Sequence, residues 1–199
     1  MKKSLPTLTL LKKDRSGTWE YEGLSRREAH FAFREFRASQ ARLEVLLGVK
    51  RDGPVLPRAG ASDRYVALEQ RGFFAVATVV FASMAIESFL NYYGVRRFGP
   101  AFKDPAVEFL TAADKTKLIL GYTCVSPPKA GTKLYGALKR LYSRRNKLIH
   151  PKTHEHMLGV EPPALEPTPL IAEQSIADME SFFEEFVSHD PDAKLHVGP

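Results

Sequence analysis

Apolar residues recur at helical spacing along most of the chain, and this pattern predicts an all-α protein. Gly- and Pro-rich stretches divide it into six predicted helices, over residues 25–47, 63–98, 104–112, 115–122, 132–149 and 170–188. The second of these is apolar nearly all round through its middle, as is typical of a central helix. Residues 5–22 alternate weakly around a turn sequence. The predicted fold is therefore an all-α antiparallel helical bundle with a small N-terminal β-hairpin.

The chain organisation follows from these elements. We expect an N-terminal hairpin appendage over residues 1–24, a single helical domain over 25–190 and a flexible tail over 191–199. With 199 residues, 44% of them hydrophobic and 26% charged, the chain is long and apolar enough for one globular core.

Charge and cysteine content narrow the class of protein. The net charge of +6 favours an anionic partner, commonly RNA or DNA, although many soluble domains with such a charge bind neither. One cysteine excludes an internal disulfide and fits a reducing compartment. The N-terminal apolar run is too interrupted for a signal peptide, and the uncharged run over 72–86 is shorter than the roughly 20 residues that cross a bilayer. We therefore expect a cytoplasmic protein without a membrane segment.

A polar stripe interrupts the most apolar predicted helix. Ser83, Glu87 and Asn91 are spaced by four and so lie on one side of it. On the predicted helix 132–149, Arg145 occupies a position in a stripe of leucines, and we predict that it points inward and approaches Glu87 or Asn91. A buried pair of this kind can simply fix how two helices pack, without any chemistry.

The other cations of that helix fall on a different, solvated face. They could line a groove for RNA or serve only as a solvated surface: Lys133, Arg140, Arg144 and Lys147. The helix ends before Pro151. His150 at that end has two interpretations, a functional imidazole or a cation beside the negative end of the helix dipole.

Two segments resemble a known family. Arg145-Asn146-Lys147-Leu148-Ile149-His150 is similar to the Arg-Asn-x-x-x-His signature of the HEPN domain family (higher eukaryotes and prokaryotes nucleotide-binding). Residues 83–94, SMAIESFLNYYG, resemble the family's earlier helix, with a Glu followed one turn later by Asn. The order of the two segments also matches, and the resemblance covers about residues 63–188.

The resemblance implies a helical bundle that commonly dimerises. Active members are metal-independent endoribonucleases in which the motifs of two subunits meet near the dimer axis, and many belong to toxin–antitoxin or antiphage defence systems. Expected partners are then RNA, a second copy of the chain, and an antitoxin or other partner protein. Other members are inactive and bind RNA, a nucleotide or a protein, so the resemblance leaves both functions open.

The side chains suit this chemistry. The 2′-hydroxyl of RNA is the nucleophile, and cleavage needs proton transfer and positive charge near the phosphoryl oxygens. His150 can transfer protons near neutral pH, Arg145 can bind a phosphate in bidentate fashion, and Asn146 could position the histidine or the sugar. Glu87, Asn91 and Ser83 would support the site. The expected product is a 2′,3′-cyclic phosphate, with no cofactor.

Helix geometry favours a site shared by two chains. In a regular helix His150 lies about 140° around the axis from Arg145. The two side chains therefore converge only if the last turn opens or if a second chain supplies the complementary group, as a symmetric dimer does. His154 and His156 lie close to His150 in sequence, but no flanking ligands of fixed geometry accompany them. We predict no metal site.

Overall fold

The computed structural model describes residues 12–13, 19–20, 24–46, 61–149 and 169–197. Over these ranges the chain is largely helical, which confirms the predicted all-α fold. The helices are α1 Leu24–Leu46, α2 Ala61–Phe98, α3 Pro105–Glu108, α4 Ala112–Thr123, α5 Lys133–Ile149 and α6 Pro169–His189. Short 3₁₀ segments follow α2 and α6, at Gly99–Lys103 and Pro191–His196.

The N-terminal segment contains two short strands, β1 Lys12–Lys13 and β2 Trp19–Glu20. They pair antiparallel, with Lys12 opposite Glu20. The predicted turn of the hairpin, within residues 14–18, lies outside the described residues. So do residues 48–60 of the predicted Gly/Pro loop over 48–62, whose last two residues belong to α2, and nearly all of the proline-rich connection over 151–169.

The helix boundaries agree with the sequence pattern except around α3 and α4. Asp104 caps α3 as predicted, because its side chain accepts a hydrogen bond from the backbone nitrogen of Ala106 at 2.8 Å. However, α3 ends at Glu108 instead of continuing to residue 112. Thr111 accepts a hydrogen bond from the backbone nitrogen of Asp114 and so starts α4 three residues earlier than predicted.

Helix α2 is the centre of the fold and contacts α1, α4, α5 and α6. Its core residue Phe89 packs edge-on against three aromatic rings of α6, those of Phe182, Phe183 and Phe186. The apolar residues that recur at helical spacing in α6 are buried: Ile176, Met179, Phe182, Phe183 and Phe186. Burial of aromatic side chains on this scale is a major part of the stabilisation of a core.

By length and composition, the segment Ser62–Lys103 passes the criteria for a membrane span. Half of its most apolar window is nevertheless buried inside the protein. This burial is what a core helix of a soluble protein requires, because the surrounding helices shield its apolar sides.

Ion pairs join α6 to α1. Arg26 Nη2 donates to Glu180 Oε2 at 2.5 Å, and His30 Nε2 lies 2.8 Å from Glu180 Oε1. Burial alone would raise the pKa of the Glu180 carboxyl, but the hydrogen bonds with Arg26 and His30 outweigh it and hold this pKa below its ordinary value. Further along, Arg37 pairs with Glu173 at 2.8 Å. The order of these pairs shows that α1 and α6 run in opposite directions.

The segment after α6 is packed against α2. We expected a flexible tail here, but Pro191–His196 form a 3₁₀ helix whose Ala193 is buried. The hydroxyl of Tyr93 donates to the buried Asp190 carboxylate at 2.7 Å, and Arg97 donates to Asp192 at 3.0 Å. These bonds tie the chain end to the C-terminal part of α2.

Candidate functional site

The polar stripe of α2 runs from the interior to the surface. Ser83 is fully buried, Glu87 is half-buried and Asn91 is exposed. The Ser83 hydroxyl donates to the carbonyl oxygens of Val79 and Val80, at 3.0 and 2.8 Å. Both bonds stay within α2, so the Ser83 hydroxyl is already used by its own helix. Ser83 therefore contributes its backbone carbonyl to the site, not its side chain.

Arg145 points inward from α5, as its place in the leucine stripe predicts. Its Nε is buried and has no hydrogen-bond partner in the part of the chain that the structure describes. The guanidinium lies 5.9 Å from the centre of the Tyr142 ring, within the range of a cation–π contact. Among the described residues, Arg145 forms no ion pair with Glu87 and no hydrogen bond with Asn91. The predicted approach of Arg145 to Glu87 or Asn91 is therefore not a direct pair. Arg145 instead contacts the ring of Tyr142.

Tyr142 links the two helices at this site. Its hydroxyl donates to the Ser83 carbonyl oxygen at 3.2 Å. Burial and the negative charge of Glu87 raise the pKa of this hydroxyl, while the positive charge of Arg145 acts in the opposite direction. Both charges are thus close to the same phenol. The sequence signal for Tyr142 is its position three residues before Arg145, which places the two side chains side by side on α5.

Asn91 has a partner that the sequence does not indicate. Lys115 of α4 donates from Nζ to Asn91 Oδ1 at 2.8 Å. Lys115 is only 5% exposed. The polar stripe of α2 therefore extends to a buried cation on a third helix, which sequence spacing could not place because α2 and α4 are separate segments of the chain.

Most of the cations predicted to line an RNA groove are paired with α6. Arg140 and Arg144 both donate to the buried Asp178 carboxylate, each at 2.6 Å, and Lys133 lies 3.2 Å from Glu185. The prediction that Arg144 lies on a solvated face is wrong, because its side chain is only 15% exposed. The acidic side of α6 packs against this face of α5 and neutralises it.

Lys147 and Asn146 are exposed at the end of α5. Lys147 forms no ion pair within the described ranges. Helix α5 stays helical through Ile149, so it does not open between Arg145 and that residue. His150 lies outside the described residues, as do His154 and His156. The structure thus brings together Arg145, Tyr142 and the Ser83 carbonyl, with Glu87 and Asn91 one and two turns further along α2.

A search for metal-binding groups and three comparisons with known proteins complete the description of the site. In the part of the chain that the structure describes, no group of three or more His, Cys, Asp or Glu side chains could hold a metal ion. Compared with protein-family models, curated proteins and solved structures, the chain has no match in any of the three.

Proposed function

We propose that this protein is a metal-independent endoribonuclease of the HEPN type, folded as an antiparallel helical bundle and acting as a homodimer. It would cleave RNA by attack of the 2′-hydroxyl, as a toxin or an antiphage-defence effector in the cytoplasm. Arg145 would bind the scissile phosphate, His150 would transfer the proton, and Asn146 would position the histidine or the sugar. The motif residues and the geometry around Arg145 support this proposal.

The observation that carries the proposal is the state of Arg145. A guanidinium with a buried, unbonded Nε destabilises a folded protein. A buried polar group without a partner loses its hydrogen bonds to water and gains none within the protein. Within the described ranges, no carboxylate forms an ion pair with it. An arginine held in this way, in contact with Tyr142, is suited to bind an external anion such as a phosphodiester.

Two features favour a homodimer. Because α5 stays helical through Ile149, an opening of its last turn before that residue cannot bring His150 round to Arg145 of the same chain. In addition, α2 exposes apolar side chains on one side: Val66 and Met84 are 40% exposed and Phe73 is 68% exposed. Their spacing of seven and eleven residues aligns them with Asn91. A second copy covering this stripe would bring both polar stripes together near a two-fold axis.

A second function is favoured by the pairing of the basic residues. Three of the four cations predicted to bind RNA are neutralised by α6. A surface that has lost this charge has less electrostatic attraction for a polyanion. An inactive HEPN-like module that binds RNA, a nucleotide or a protein partner is therefore the alternative function.

The first test is RNA cleavage in excess chelator by the wild type and by His150→Ala. We expect the wild type to cleave single-stranded RNA and to leave 2′,3′-cyclic phosphate ends, and the variant to be inactive. DNA of the same sequence should remain intact, because it lacks the 2′-hydroxyl. Circular dichroism of both proteins controls for folding.

Each other outcome has a defined meaning. Binding of RNA without cleavage by the wild type would establish the inactive module. Equal cleavage by both proteins would contradict the role of His150 and indicate a contaminant or a different site.

The dimer is tested by placing a charge on the exposed stripe of α2. We expect Phe73→Glu to be monomeric by sedimentation and to lose RNA cleavage, because the carboxylate would be buried without a partner in the interface. Phe109→Glu is the matched control, since Phe109 is 87% exposed at the end of α3, away from the stripe. A Phe73→Glu protein that remains dimeric and active would contradict dimerisation through this face.

A further inference from the structure

The ammonium group of Lys115 has no counter-ion among the residues that the structure describes. The residue is 5% exposed, and lysine is rarely buried so completely without a carboxylate partner. Within the described residues its bond is to the neutral amide oxygen of Asn91, at 2.8 Å. The ion pair that α4 does contain is formed by a different lysine, Lys117, with Asp114 at 3.6 Å.

Lys115 also bonds to the polar stripe of α2, beside which Arg145, the proposed phosphate-binding residue, lies. Asn91 lies one helical turn, about 6 Å, along α2 from Glu87, whose charge acts on the same Tyr142 hydroxyl as that of Arg145. Asn91 is exposed in the single chain, and in the proposed dimer it lies at the end of the covered stripe, where RNA bound between the two copies would reach its amide. The polar stripe of α2 thus has a cation near each end: Arg145, which contacts the ring of Tyr142 beside the Ser83 carbonyl, and Lys115, which bonds to Asn91.

We propose that Lys115, together with Asn91, is a second phosphate-binding position, which binds a phosphodiester of single-stranded RNA next to the one bound by Arg145. This inference rests on the proposed function. A phosphate oxygen would replace the amide oxygen as the acceptor for Nζ and would supply the missing negative charge. Glu87 lies between Ser83 and Asn91 in α2, and its carboxylate would repel a phosphate bound at that point.

The test uses a fluorescent single-stranded oligonucleotide with 2′-O-methyl groups, which cannot be cleaved. Its affinity is measured by anisotropy between about 50 and 200 mM salt. Removing one phosphate contact reduces the slope of log K against log salt by about 0.7 for a single strand. We expect this change in Lys115→Met, which keeps the aliphatic stem but loses the charge.

The second variant is Asn91→Asp. It tests the inference even if the core does not tolerate a methionine at position 115. The new carboxylate would pair with the buried ammonium, so we expect a higher melting temperature and, at the same time, the shallower salt slope. If Lys115 is only structural and binds no phosphate, Asn91→Asp should raise the melting temperature without changing the salt slope. Lys117→Met, on the exposed side of α4, is the matched control and should leave the slope unchanged.

An unchanged slope in both Lys115→Met and Asn91→Asp would overturn the inference, and so would a wild type that does not bind the probe. Failure of the proposed ribonuclease is a separate result, since it is measured as absence of cleavage of unmodified RNA by the wild type. A wild type that binds the probe without cleaving RNA would still show the slope change if Lys115 binds phosphate.

Discussion

Replacing Arg145 with methionine is expected to lower RNA cleavage by about 100-fold or more, the loss typical of removing one group that stabilises developing charge. The melting temperature is expected to stay the same or to rise. The buried Nε has no hydrogen-bond partner, so the methionine removes an uncompensated polar group and keeps most of the side-chain volume. Cleavage assays and thermal unfolding of the purified variant measure the two effects.

The neighbouring arginine provides the control. Arg144→Met removes a side chain that is 15% exposed and that donates to Asp178 at 2.6 Å. This change leaves a buried carboxylate with one partner fewer, so the melting temperature is expected to fall. Opposite changes in melting temperature at these two adjacent arginines would distinguish a functional role of Arg145 from a role in helix packing. A fall in melting temperature for Arg145→Met would instead support the interpretation in which Arg145 fixes the packing of α2 and α5.

Asp178→Asn is expected to be the most destabilising single change in the contact between α5 and α6. Asp178 is buried and accepts three hydrogen bonds from Arg140 and Arg144. Loss of its charge leaves the largely buried Arg144 guanidinium without a counter-ion, at a cost of about 3 kcal/mol. For a chain of this size, that corresponds to a fall in melting temperature of about 6–12 °C.

Glu173→Gln is the matched control on the same helix. Its ion pair with Arg37 is 2.8 Å long, and the Glu173 and Arg37 side chains are 43% and 63% exposed. Water and salt screen such a pair, so the expected change is below about 1 kcal/mol. Equal melting temperatures for Asp178→Asn and the wild type would show that the pairing with Arg140 and Arg144 contributes nothing to stability.

The sequence predicted the helices because their periodic signals are local. The apolar side of α6, the cap at Asp104 and the inward position of Arg145 all follow from spacing within one segment. The start of α4 was placed three residues too late because the cap at Thr111 competes with the apolar pattern that follows it.

Contacts between helices were harder to predict from spacing alone. The pattern correctly separated Arg145 from the other cations of α5, but it could not show that an acidic helix covers that second face. It also could not join Lys115 to Asn91, because 24 residues separate them and the packing angle of α4 on α2 brings them together. Nor could spacing reveal the bond of Tyr142 to the Ser83 carbonyl, because it depends on the alignment of α5 with α2.

The two arginines that share Asp178 have a consequence for the evolution of this chain. A carboxylate that serves two guanidinium groups links three positions, so a change at one is tolerated most easily when the others change with it. In homologous sequences, positions 140, 144 and 178 are therefore expected to covary. Position 145 has no such link within the described ranges, so it should keep its arginine when RNA cleavage is under selection and vary freely when it is not.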